Sequence, residues 1–139
     1  MNLSNASYKW YNKFTAFCIL FRIFNGGWML FGALIILLPY YIVHWIGQMK
    51  AYEGKNLTKK DLIYINISTV LFFLSNITQP EEDEHKSFYI FERYIGKQLP
   101  PPDSFFDWHF LAYFGWIFVL DIAINIYFLF RFKHIKLYT

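Results

Sequence analysis

Three long apolar stretches constrain this chain more than any other feature. The clearest runs from Trp28 to Gly47 and holds 20 residues without a full charge. As a helix it would rise about 30 Å, the thickness of a bilayer's hydrocarbon core. Pro39 should kink it, because proline lacks a backbone donor. Trp28 at one end and Trp45 at the other fit interface anchors. A second stretch, Leu62 to Thr78, holds 17 residues and carries Asn66, Ser68, Thr69, Ser75 and Asn76. A third, Trp108 to Phe132, contains Asp121 and Asn125.

The connecting segments complete this reading. Residues 8–24 mix Lys9, Asn12, Lys13 and Arg22 with many rings, which predicts an amphipathic helix lying at a membrane interface. Asn25-Gly26-Gly27 should break the helix there. The stretch 79–107 opens with the acidic run Glu81–Glu84 and closes on Pro100-Pro101-Pro102. Its middle, residues 87–95, is too apolar for a free linker, so a short helix is expected there. Residues 133–139 form a basic tail, in which Lys133 and Lys136 join Arg131 as headgroup anchors, with Arg22 in the same role near the first helix. The expected fold class is therefore an all-α membrane protein: one domain over 1–139, about three transmembrane helices (28–47, 62–78 and 108–132), an N-terminal interfacial helix, and a long, partly ordered loop between the second and third spans.

Composition supports that picture. Apolar residues make up 56% of the chain and charged residues 17%, with 17 Phe, 11 Tyr and 5 Trp. So little charge is unusual for a domain bathed in water. A net charge of +3 without a basic stripe excludes a nucleic-acid groove. The lone Cys18 cannot form an internal disulfide and reads as a small buried hydrophobe. Residues with AT-rich codons (Phe, Ile, Tyr, Asn, Lys, Met) outnumber those with GC-rich codons (Gly, Ala, Arg, Pro) by 66 to 21. An organellar or other AT-rich genome would give that bias.

Chemistry is sparse. Asp121 is the sharpest residue, because a carboxylate inside an apolar helix must be paired or neutral. Asn125, one turn on, can share its hydrogen bonds. Asn66 and Thr69 are its expected neighbours by depth, and with Asn76 they form a polar stripe suited to helix–helix contact. His44 and His134 are weak candidate haem ligands, since a bis-histidine site needs both at one depth around one cavity. Five Asn-x-Ser/Thr patterns occur, at Asn2, Asn5, Asn56, Asn66 and Asn76, and Asn66 falls inside a span. No phosphate loop, serine-hydrolase or zinc-protease motif is present.

These features lead to the expectation of a non-catalytic accessory subunit, with a structural and assembly role, in a large inner-membrane complex. A mitochondrial respiratory complex or ATP synthase fits first, and a bacterial inner membrane is the alternative. Expected partners are other membrane subunits and lipids, with bound phospholipid, no further cofactor, no metal and no nucleic acid. A small homo-oligomeric transporter or channel component using Asp121 and Asn125 is a second expectation. A haem- or quinone-associated redox subunit is a third.

Overall fold

The structure is a computed structural model that describes residues 5–25, 28–54, 57–78, 80–83, 86–90, 92–96 and 115–134. Four helices dominate: α1 (Asn5–Asn25), α2 (Trp28–Glu53), α3 (Lys59–Ile77) and α5 (Trp116–Arg131). Between α3 and α5 lie a two-stranded antiparallel hairpin, β1 (Pro80–Asp83) and β2 (Lys86–Tyr89), and the single turn α4 (Glu92–Ile95). The hairpin register pairs Pro80 with Tyr89 and Asp83 with Lys86.

Local chemistry explains the best-defined helix start. Thr58 caps α3: its hydroxyl accepts from the Asp61 N–H at 3.2 Å, and the Asp61 carboxylate accepts from the Thr58 N–H at 2.7 Å. This reciprocal pair is a capping box with Asp at the third helical position. At the other end, the Thr78 N–H closes on the Leu74 carbonyl, and Pro80 follows two residues later.

Side-chain contacts fix the helix directions. Gly47 and His44 of α2 lie level with Asn125 and Asp121 of α5, so these two helices run parallel. Arg131 reaches Asp61, and Asn125 reaches Ser68, so α5 runs antiparallel to α3. Tyr11 donates to Asn66, and Phe14 packs on Phe73, which sets α1 parallel to α3. The result is an up-down-up-down four-helix bundle.

The core is layered. One apolar cluster joins Cys18, Leu37, Tyr40, Tyr41 and Phe72. A second joins Ala51, Tyr52, Leu57, Ile65, Phe128 and Phe132. The polar side chains of His44, Gln48, Ser68, Asp121 and Asn125 meet between them.

Among the described residues, no helix is long and apolar enough to cross a membrane. This overturns the expected transmembrane fold class, its membrane keywords and the inner-membrane localisation. The physical reasons lie in the helices themselves. The described α5 has 16 residues, about 24 Å of rise. Helix α3 opens on Lys59, Lys60 and Asp61 and buries Ser68, Ser75 and Asn76.

Other expectations change with it. The segment read as an interfacial helix is α1, packed along α3, and Arg22 is buried in the bundle rather than set at a surface. The loop expected over 79–107 holds the hairpin and, among the described residues, a helical turn at Glu92–Ile95; residues 97–107 lie outside the described parts. Residues 108–114, the rest of the tail with Lys136, and the Trp28 side chain lie outside the described parts.

Candidate functional site

The polar layer is built by three helices. Tyr40, His44 and Gln48 recur every four residues along α2 and so share one face. Ser68 and Ser75 do the same on α3 at a spacing of seven, and Asp121 and Asn125 on α5 at four. All seven side chains are buried, and Gln48, the most exposed, retains 6%.

Asp121 is the hub. One carboxylate oxygen accepts from the Tyr40 hydroxyl at 2.8 Å and lies 3.0 Å from His44 Nδ1. The other accepts from the Ser68 hydroxyl and from Asn125 Nδ2 at 3.0 Å. Two polar partners thus stand at each carboxylate oxygen. His44 Nδ1 also lies 3.3 Å from Asn125 Nδ2, so Asp121 and Asn125 meet the same ring nitrogen. Ser68 in turn accepts from Gln48 Nε2 at 2.7 Å and from Asn125 Nδ2 at 2.9 Å. Tyr40 also meets Ser75 at 2.8 Å, which brings α3 onto the same hub. The His44 ring lies flat on Phe72, with centroids 3.8 Å apart and planes 13° from parallel.

A close helix approach makes this geometry possible. A Cβ on Gly47 would sit 2.6 Å from Asn125 Oδ1 and 3.1 Å from the Asn125 Cα. No side chain larger than hydrogen fits there without spreading α2 from α5. Gly54 serves the same contact lower down, where a Cβ would fall 2.7 Å from the Phe132 ring.

A second polar cluster ties α3 to the end of α5. Asp61 accepts from Arg131 at 2.8 Å, from the Tyr127 hydroxyl at 3.0 Å and from the Thr58 hydroxyl at 2.8 Å. Burial alone would raise the Asp61 pKa. Hydrogen bonds from the Thr58 backbone, Arg131, the Thr58 side chain and Tyr127 outweigh it and hold the carboxyl below its ordinary value. Elsewhere burial dominates. It pushes the Tyr40 phenol well above its usual value, with the Asp121 charge adding to the effect. It raises the Cys18 thiol to about 11 and lowers the Arg22 guanidinium to about 10. A thiol held that far from ionisation is a poor nucleophile.

The structure brings together some of the residues singled out from sequence and separates others. Asp121 and Asn125 share one network. Asn66 and Thr69 do not join it: Asn66 is exposed and bonded to Tyr11, and Thr69 bonds back to the Ile65 carbonyl. Their expected place beside Asp121 is taken by Ser68, one residue over, on the face that turns inward. Asn76 binds Tyr41 at 2.8 Å and the Phe72 carbonyl. His44 is inside the bundle and held by Asp121, whereas His134 is exposed beyond the end of α5, so the two histidines do not face one cavity. Trp45 and Lys133 are exposed. Arg131, one third exposed, is bound to Asp61. Sequence reasoning missed Tyr40, Gln48 and the central role of His44, although their four-residue spacing on α2 carried the signal.

Ser68, His44 and Asp121 are residue types that elsewhere form nucleophilic triads, but their order here is different. The Ser68 hydroxyl donates directly to the carboxylate, and no imidazole stands at it as a base. Among the described residues, no group of three His, Cys, Asp or Glu side chains could hold a metal ion. What the arrangement does chemically is hold three helices in one register around a carboxyl group withheld from water. A scan against protein-family models finds no match, and comparisons with curated proteins and with solved structures find none either.

Proposed function

We propose that the chain is a structural subunit of a larger assembly, a rigid four-helix element whose outer faces are covered by neighbouring proteins. The observation that carries this reading is an inverted distribution of polarity. Large apolar side chains stand outside: Phe24 is 84% exposed, Ile35 82% and Phe130 73%. Polar ones meet inside, around Asp121. Exposed apolar residues scattered singly are ordinary, but each of the four helices presents a run of them. Helix α5 alone offers Trp116, Val119, Leu120, Ile126, Tyr127 and Phe130. Contiguous apolar surface on this scale marks interaction sites.

The polar core supports the same role. Buried polar networks can specify one arrangement of helices over others; here both Asp121 oxygens are partnered, while Gln48 Oε1 is buried without a hydrogen-bond partner. A subunit that contributes contact area needs such a fixed shape. The carboxylate at its centre is enclosed by its own donors, which suits a register-setting group.

The test is the native mass of the 16.8 kDa chain in a gentle extract of its source, by size exclusion with identification of co-eluting polypeptides. The proposal expects elution within a larger complex of fixed composition. Elution as a free, folded monomer would overturn it.

A further inference from the structure

We infer that the polar layer is a binding site for one buried water molecule, seated between Gln48 of α2 and Asn125 of α5. The inference does not depend on what covers the outer faces. The observation that points to it is an orphan acceptor. Gln48 is buried, and its Oε1 accepts no hydrogen bond. Buried polar atoms are almost always partnered, by protein or by ordered water. A bare acceptor in this interior therefore calls for a donor.

The surrounding bonds show that turning the Gln48 amide over does not supply one. Asn125 Nδ2 donates to the Asp121 backbone carbonyl at 2.8 Å, and a carbonyl only accepts. That bond fixes the Asn125 amide, so its oxygen is the atom turned toward Gln48. Gln48 has to meet that oxygen with nitrogen, and it does: Nε2 stands 3.3 Å from Asn125 Oδ1 and 2.7 Å from Ser68 Oγ. Ser68 requires the same, because its hydroxyl proton goes to Asp121. Exchanging the oxygen and nitrogen of Gln48 would set acceptor against acceptor at both contacts. The amide is held in the orientation that leaves Oε1 without a donor.

Size and place select the ligand. Asn125 Oδ1 has a second lone pair, and the one bond it accepts among the described residues is the long one from Gln48. Gln48 Oε1 and Nε2 sit on one carbon, so the two open acceptors are neighbours. A molecule with two hydrogens serves both, donating one to each at about 2.8 Å. On either side lie the apolar clusters around Phe72 and around Ile65 and Phe128, which shut out bulk solvent. A polar niche within such walls keeps a water, whereas an apolar one stays dry. The water would join α2 to α5 beside Gly47, at the close approach of the two helices.

The experiment is magnetic relaxation dispersion of the water oxygen in solutions of the full chain. It counts long-lived internal waters and is blind to exchanging hydroxyl protons. Wild type is compared with Gln48→Met, which keeps the length of the side chain and removes the acceptor, and with Ser75→Ala, which cuts a bond elsewhere in the polar interior. Gln48→Met is expected to lose the contribution of one water, and Ser75→Ala to keep it. A wild type without a long-lived water, or equal counts in wild type and Gln48→Met, would overturn the site. Loss in Ser75→Ala as well would overturn its placement at Gln48. Should Gln48→Met fail to fold, a high-resolution density map of wild type decides. A water within hydrogen-bond reach of both Gln48 Oε1 and Asn125 Oδ1 supports the site, and a dry contact or a metal cation there overturns it.

Discussion

At the scale of single residues, the decisive fact is that Asp121 meets four polar side chains from three helices, counting Asn125 on its own. The carboxylate cannot be replaced by its amide without putting a donor among donors. Asp121→Asn is therefore expected to destabilise the fold by about 3 kcal/mol, measured by urea unfolding. A loss within experimental error would mean that the network is not what holds the helices. Asp61 gives a pH signature of its own. Its folded pKa lies below the ordinary carboxylate value, so its contribution is fully present above about pH 4 and is lost as pH falls through the folded value. Wild-type stability should fall on that acid limb, and Asp61→Asn should flatten it. Equal acid sensitivity in the two proteins would show that Arg131 and Tyr127 do not perturb Asp61.

At the scale of elements, two small groups determine how the helices start and meet. Thr58 caps α3, and Thr58→Ala should cost about 1 kcal/mol in thermal or urea unfolding. Gly47 lets α2 approach α5, and Gly47→Ala drives a methyl into Asn125. Overpacking of that kind costs about 1–3 kcal/mol, and a neutral Gly47→Ala would show that the two helices can separate freely. These two cases also show what was legible beforehand. The α3 start is local, since Thr58 and Asp61 stand three residues apart, and the helical spans around Leu37, Phe72 and Phe118 follow from their apolar runs. Which side chains meet is not local. Asp121 finds Ser68 rather than Asn66 because of the rotation of α3 about its axis, a property of the packed bundle. His44 was visible as a polar residue near the end of an apolar run, but its partner lies 77 positions away.

At the scale of the whole molecule, apolar outer faces and a polar centre coexist in one bundle. Composition announced the first, since rings and aliphatic side chains are too numerous for one small core. It also suggested membrane spans, an expectation the described helices do not meet. Length alone could not separate a helix that crosses a bilayer from one that builds a bundle with a polar interior. On the proposed reading, neighbouring protein covers these faces. Cys18, buried and held un-ionised, offers no competing thiol, so introduced cysteines report cleanly. The most direct measurement is the rate at which a water-soluble maleimide labels Ile35→Cys, Val119→Cys and Phe130→Cys in the native assembly and in the isolated folded chain. The account predicts protection in the assembly and rapid labelling once the neighbours are removed. Labelling at the same rate in both states would contradict it.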